Sequence, residues 1–140
     1  HVKKGKYNPF QIWADSTTRV RSKIQDGLSI FYYARMNTGQ RRSVDVPCFV
    51  TEKFENTHIN FYDKIEKSEV KSLNYSVSTV RLDGHTDFVS IFGLTGNFEG
   101  WFTNDQYAVP TIARMKVIIG NISLELKEWK KANWSPPRYK

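Results

Sequence analysis

The sequence is poor in cysteine and lacks any long apolar run. Its 140 residues include one cysteine, Cys48, which excludes an internal disulfide and a zinc site built from cysteines. The longest apolar stretches, such as Val117-Ile118-Ile119, fall far short of the ~20 residues that a membrane-spanning helix needs. Charged residues interrupt the start of the chain, so it holds no apolar h-region of a secretory signal. We therefore expect a soluble or peripheral protein, with no transmembrane segment and no signal peptide in this fragment. Because the chain starts at His1 rather than Met, we also expect a processed or trimmed product.

The sequence also lacks the short motifs of common catalytic sites. It contains no GxxxxGK phosphate loop, no GxSxG elbow, no HExxH zinc motif and no CxxC pair. Our first interpretation therefore has no catalytic residue, no cofactor and no metal site, and an enzyme is only an alternative.

What the chain does have is the size and composition of one globular domain with a positive charge. Hydrophobic residues make up 39% and charged residues 25%, which excludes wholesale disorder. The net charge of +7 is uneven, with +6 in residues 1–50, −3 in residues 51–100 and +4 in residues 101–140. Such asymmetry favours an anionic partner, either nucleic acid or a membrane surface. We divide the chain into a basic N-terminal arm (1–12), a single β-rich domain (13–131) and a proline-containing C-terminal tail (132–140).

A period of two in the apolar residues predicts a fold dominated by strands. The predicted strands cover residues 28–36, 42–50, 58–63, 73–82, 87–94, 97–103, 112–119 and 122–129. Pro47 cannot donate to a ladder, so the strand over 42–50 is predicted to be an edge strand or bulged. Turns are predicted at residues 83–84, 95–96 and 120–121, and short helices over 64–73 and, as an alternative to a strand, over 17–24. The fold class is all-β or β-dominated α+β, with about eight short strands in an antiparallel sandwich, jelly roll or barrel and one or two short helices.

Basic and aromatic residues interleave near the N-terminus, which is typical of nucleic-acid binding. Lysine and arginine neutralise phosphates, and exposed aromatic rings stack on unpaired bases. The predicted nucleic-acid-binding residues are Lys3, Lys4, Lys6, Arg19, Arg21, Tyr32, Tyr33, Arg35, Arg41 and Arg42. The favoured function is a non-enzymatic protein that binds RNA or single-stranded DNA, self-associates as a homo-oligomer and serves as a viral or mobile-element structural protein.

Two histidines support the alternative of a small, toxin-like ribonuclease. One of His58 and His85 would take the proton of the 2′-hydroxyl, the other would protonate the leaving oxygen, and a lysine or arginine would stabilise the charge. His85 also lies between two carboxylates in the segment Asp83-Gly84-His85-Thr86-Asp87, an arrangement open to a metal ion or to a more basic imidazole. The favoured interpretation of that segment is an ordinary Asp-Gly turn.

The C-terminus supports a further alternative, a matrix-like peripheral membrane protein with a short partner motif. Pro136, Pro137 and Tyr139 match the PPxY peptide that WW domains bind in a polyproline II conformation. The basic segments would then face anionic lipid. The single cysteine suits a reducing compartment, so the expected location is intracellular, in cytoplasm or nucleus, or within a virion.

Overall fold

The structure is a computed structural model, and it describes residues 2–6, 11–17, 19, 23–50, 53–89 and 94–140. Within these ranges lie eight strands and one α-helix. The strands are β1 (Val2–Lys6), β2 (Gln11–Ser16), β3 (Arg42–Val50), β4 (Lys53–Ser68), β5 (Val77–Thr86), β6 (Leu94–Thr103), β7 (Pro110–Val117) and β8 (Gly120–Glu125), and the helix is α1 (Ser29–Met36). The predicted β-dominated antiparallel fold is confirmed, consistent with a sandwich-like arrangement, and the described strands do not close into a barrel.

Strands β3 to β8 form one antiparallel sheet in sequence order, while β1 and β2 pair with each other in a second sheet. Strand β3 matches the predicted residues 42–50, and it is an edge strand, as Pro47 indicates. Strand β4 is long because it continues through a register shift between Phe61 and Ile65. The sheet therefore presents two broad faces, each made by alternate residues of the same strands.

One face of the sheet carries the core, and α1 packs on it. Apolar residues at every second position of β3, together with Ile59 and Phe61 of β4 and Leu82 of β5, form a buried cluster with Ala34 of α1. Ile30 and Tyr33 of the helix pack against the same cluster. Residues 30, 33 and 34 recur at helical spacing, so α1 turns one apolar stripe to the sheet.

The prediction of a strand over 28–36 is wrong, because these residues form the helix α1. The Ile, Phe and Tyr content of the segment favours a strand, but a polar cap overrides it. Asp26 Oδ1 accepts hydrogen bonds from the backbone N–H of Leu28 and Ser29, at 2.9 and 2.6 Å, and Ser29 Oγ accepts one from the Asp26 N–H at 2.8 Å. The side chains of Asp26 and Ser29 thus satisfy backbone N–H groups at the start of the helix, which have no partner within the helix itself.

The two predicted helices are also absent from the described residues that they cover. Residues 64–68 continue β4, where Ser68 is buried and its hydroxyl lies 2.7 Å from that of Thr79. Residues 69–76 are irregular. In the segment 17–24, residues 17, 19, 23 and 24 are not helical, and the others lie outside the described residues. Cross-strand contacts thus outweigh the helical spacing of charges in 64–73.

Two of the three predicted turns are wrong, and one is displaced. Residues 83–84 lie inside β5, and residues 95–96 lie inside β6. The hairpin between β7 and β8 exists, but its turn is at residues 118–119, just before the predicted Gly120-Asn121. The predicted strand over 87–94 fails at residues 87–89, which form no strand, while 90–93 lie outside the described residues. No helix in the described ranges is both long and apolar enough to cross a bilayer.

Candidate functional site

The sheet face opposite α1 is polar, and it is formed by the alternate residues that do not face the core. In the described register, Asp45 of β3 pairs with His58 of β4, His58 pairs with His85 of β5, and His85 pairs with Asn97 of β6. A second row follows two residues away, where Asn60, Asp83 and Glu99 are aligned. Directly opposed side chains in an antiparallel pair have Cβ atoms about 4.5–5.5 Å apart. The two histidines named by the sequence are therefore immediate neighbours.

His58 is held between two oxygen acceptors. Its Nδ1 lies 2.7 Å from Asp45 Oδ1, and its Nε2 lies 3.1 Å from Asn60 Oδ1. The amide of Asn60 is oriented by its own NH₂ group, which donates to Asp83 Oδ1 at 2.9 Å. A neutral imidazole has one N–H, so only the imidazolium donates to both acceptors. The hydrogen bond to Asp45 and the weaker one to Asn60 raise the pKa of His58 above its ordinary value.

His85 has a similar environment. Its Nδ1 lies 2.6 Å from Asn97 Oδ1, and its Nε2 lies 2.8 Å from Asp87 Oδ1. The hydrogen bond to Asn97 and then that to Asp87 raise the pKa of His85, while the positive charge of Lys116 opposes the rise. Both imidazoles are about half exposed. The face thus holds two adjacent, solvent-accessible histidines that each favour a positive charge.

Asp83 is the centre of the second row. It accepts hydrogen bonds from Asn60, from the hydroxyl of Tyr62 at 2.9 Å and from Arg81 Nη2 at 2.7 Å. Arg81 also reaches Glu99 at 3.4 Å and lies 4.8 Å from the centre of the Tyr62 ring. These contacts fix the side chains in place, and they leave both carboxylates of the row partnered by arginine.

Strands β7 and β8 complete the site as one side of a groove of about 790 Å³. Its lining includes both histidines, Arg114 and Lys116 of β7, and Asn121 and Ser123 of β8. Arg114 lies 5.0 Å from the centre of the Trp101 ring and 4.0 Å from Glu99. The groove therefore combines positive side chains with amides and a hydroxyl, which are groups that bind anionic oxygen.

The net charge of the groove lining depends on the histidines. The other charged residues of the lining are Arg114 and Lys116, which are positive, and Asp83 and Glu99, which are negative. With neutral imidazoles these charges cancel, and with both imidazoles protonated the lining has an excess of positive charge. Among the described residues, no cluster of histidine, cysteine and carboxylate side chains is arranged to hold a metal ion.

The N-terminal residues of the predicted nucleic-acid-binding set do not lie in the groove. Lys3, Lys4 and Lys6 lie in β1, where Lys6 is exposed, and the other two side chains lie outside the described residues. Arg19 is exposed, and Arg21 lies outside the described residues. None of the described members of this group lines the groove.

The second part of the set lies around α1, on the other side of the sheet. Tyr32 is exposed on the helix, whereas Tyr33 packs on the core and accepts a hydrogen bond from Arg42. Arg35 donates to the carbonyl oxygen of Tyr107 at 2.7 and 3.1 Å. Arg41 is exposed at the start of β3. The expected interleaving along one strand is therefore wrong, because helical geometry distributes these side chains around α1.

The PPxY segment is packed against the body of the protein. Pro136 is fully buried, and its carbonyl oxygen accepts a hydrogen bond from the Tyr75 hydroxyl at 3.0 Å. The Ser78 N–H donates to the Pro137 carbonyl oxygen at 2.8 Å, and the Tyr139 N–H donates to that of Ser76 at 2.9 Å. Binding to a WW domain would require this segment to detach, since such a ligand must expose both prolines.

Three basic residues of this face, Arg81, Arg114 and Lys116, escaped the sequence analysis, although their spacing carries a signal. Arg81, Asp83 and His85 alternate along β5, and Arg114 and Lys116 alternate along β7. Polar residues at every second position indicate the solvent face of a strand. The predicted turn at Asp83-Gly84 concealed that alternation. No protein-family model, curated protein or solved structure matches this chain.

Proposed function

We propose that this protein is a non-enzymatic binding protein that holds RNA or single-stranded DNA on the polar face of its six-stranded sheet. The observation that supports this proposal is the pair of adjacent imidazoles, each facing oxygen acceptors at both ring nitrogens, in one groove with Arg114 and Lys116. Their charges would attract phosphates, and Asn121 and Ser123 would donate hydrogen bonds to phosphate oxygens.

Flat cationic groups on the same face favour a nucleic acid over a simple anion. Arg81 and Arg114 lie over the rings of Tyr62 and Trp101, so each guanidinium is held against an aromatic ring. Guanidinium planes and aromatic rings are the surfaces on which unpaired bases stack. Among the described residues no helix covers that face of the sheet, so it would accommodate an extended single strand rather than a duplex.

The test is the salt dependence of binding to labelled oligouridine and oligothymidine, followed by fluorescence anisotropy. Each phosphate neutralised contributes about −0.7 to the slope of log affinity against log salt concentration. We expect Lys116→Ala to make the slope less steep by about that amount. Lys130→Ala is the matched control, since it removes an exposed lysine outside the groove, and we expect it to leave the slope unchanged.

Two results would overturn the proposal. One is no binding at low salt, and the other is binding that responds equally to Lys116→Ala and Lys130→Ala. Binding to vesicles with anionic lipid, together with no binding to either oligonucleotide, would favour the membrane alternative instead.

A ribonuclease is the second candidate, and the direct pairing of His58 with His85 favours it. The two rings are close enough to flank one phosphate, so one would accept the 2′-hydroxyl proton while the other protonates the leaving oxygen. This chemistry needs one neutral and one protonated ring, whereas the acceptors around both histidines favour two protonated rings. We therefore rank catalysis second.

Cleavage assays on single-stranded RNA separate the two functions. Under the binding proposal, RNA stays intact with or without divalent metal. Cleavage that spares DNA of the same sequence and disappears in both His58→Gln and His85→Gln would identify the protein as a ribonuclease.

A further inference from the structure

A second feature lies on the opposite side of the sheet, between α1 and the core face. It is a cavity of about 90 Å³ that is partly open to the surface. Ile30 and Ala34 of the helix form one wall, and Cys48, Ile59, Phe98 and Met115 of four different strands contribute to the other. Phe98, Glu99 and Met115 also contribute to the lining of the polar groove, whereas Ala34, Cys48 and Ile59 line the cavity alone. The function proposed above does not depend on this cavity.

The wall is apolar, and its polar side chains bond within the protein. The Cys48 thiol lies 3.3 Å from the carbonyl oxygen of Val46 and 3.5 Å from the Thr57 hydroxyl. The Thr86 hydroxyl donates to the carbonyl oxygen of Phe88 at 2.8 Å, and the Asp26 carboxylate accepts from the start of α1. A molecule inside the cavity would therefore be held by burial of its carbon atoms, and a charged group there would have no counterpart.

Size narrows the class of ligand further. An apolar cavity of about 150 Å³ is known to hold benzene, and this one is clearly smaller. An aromatic ring is thus too large, while a thin chain fits and leaves the rest of the molecule outside through the open side. We propose that this cavity binds the end of an unbranched aliphatic chain, such as that of a long-chain alcohol or acyl lipid.

The experiment uses 1-decanol as the probe and benzene as the size control, with isothermal titration of the full chain. We expect saturable binding of one decanol per chain and no binding of benzene. Ala34→Leu and Ala113→Leu each add bulk to the cavity wall, so we expect each to weaken decanol binding at least tenfold. Val70→Leu is the control, because it adds bulk at a buried position outside the wall and should leave binding unchanged.

A measurement on the unmodified protein keeps the test valid if a filled variant does not fold. Nuclear Overhauser contacts between the terminal methyl group of decanol and the side chain of Ile59, which lines the cavity and not the groove, are expected for insertion into the cavity. Absence of these contacts, absence of decanol binding, or equal binding by the filled variants would overturn the proposal. Because the oligonucleotide measurements do not depend on this cavity, failure here leaves the proposed function standing.

Discussion

His58 and His85 show how neighbours decide the chemistry of a residue. An isolated imidazole titrates near 6.5, but here each ring lies within hydrogen-bond distance of a carboxylate and of an amide oxygen. These contacts stabilise the charged form and outweigh the effects that oppose it. The contribution of each pair to stability is complete below the pKa of the unfolded chain and is lost as the pH rises through the higher pKa of the folded state.

The first prediction follows from these contacts and concerns pH. We expect proton NMR titration to give pKa values above 6.5 for both His58 and His85. Asp45→Asn should lower the pKa of His58 and leave that of His85 nearly unchanged, and Asp87→Asn should do the reverse. Oligonucleotide affinity should fall as the pH rises through these values, because the groove loses two positive charges. Ordinary pKa values for both rings would contradict the conclusion that His58 and His85 favour a positive charge.

Gly84 explains why the sequence predicted a turn in the wrong place. The Asp-Gly dipeptide is typical of hairpins, yet here the glycine lies inside β5. A Cβ atom at this position would collide with the carbonyl oxygen of His58 and with the ring of Phe98. Glycine is needed because a neighbouring strand and a core ring approach closely. This requirement comes from residues distant in sequence, so the local pattern does not reveal it.

At the scale of elements, the helix α1 depends on its first turn. Asp26 accepts two backbone N–H groups there, and the bonds to Ser29 and then to Leu28 lower the pKa of Asp26. A lowered pKa means that the contribution to stability is present above the ordinary carboxyl value of 3.8 and is lost as the pH falls below it. The helix also forms one wall of the apolar cavity, and Asp26 itself contributes to the lining.

The second prediction tests this cap. Asp26→Ala should lower the free energy of unfolding by about 0.5–2 kcal/mol at neutral pH, as measured by urea denaturation. Asp26→Asn should lower the free energy of unfolding much less, since an asparagine side chain also caps a helix well. The difference between the wild type and Asp26→Ala should shrink as the pH falls below 3.8. An unchanged free energy of unfolding in Asp26→Ala would show that the cap does not stabilise the helix.

The sequence predicted some elements well and others poorly, for physical reasons. The strand over 42–50 was predicted to the residue, because alternate apolar side chains and Pro47 all favour an edge strand. The strand predicted over 28–36 is wrong because the cap at Asp26 and the packing of α1 on the sheet outweigh local strand propensity. The helix predicted over 64–73 is wrong at residues 64–68 because this segment pairs with a neighbouring strand. His58 and His85 were named from the sequence, but their pairing follows from the register between β4 and β5, which the pattern does not specify.

At the scale of the whole molecule, the two edges of the six-stranded sheet differ. The edge at β3 carries Pro47, and Gln25 adds to it, where its N–H donates to the Pro47 carbonyl oxygen at 2.8 Å. The edge at β8 has all six residues exposed, and Ile122 and Leu124 are 37% and 55% exposed. An open edge with apolar side chains favours pairing with another strand, and a proline-bearing edge resists it.

The last prediction is therefore that self-association occurs through β8. Two copies of this strand would pair antiparallel about a two-fold axis, so that each Ile122 and Leu124 is covered by the partner copy. Sedimentation velocity should show a dimer whose fraction increases with protein concentration. Ile122→Lys and Leu124→Lys should shift the protein toward monomer, because lysine is an unfavourable residue at a paired edge. Ile65→Lys changes an isoleucine that is 50% exposed on β4, so it should leave association unchanged. If all three variants behave like the wild type, the contact between copies lies elsewhere and the β8 edge is not the interface.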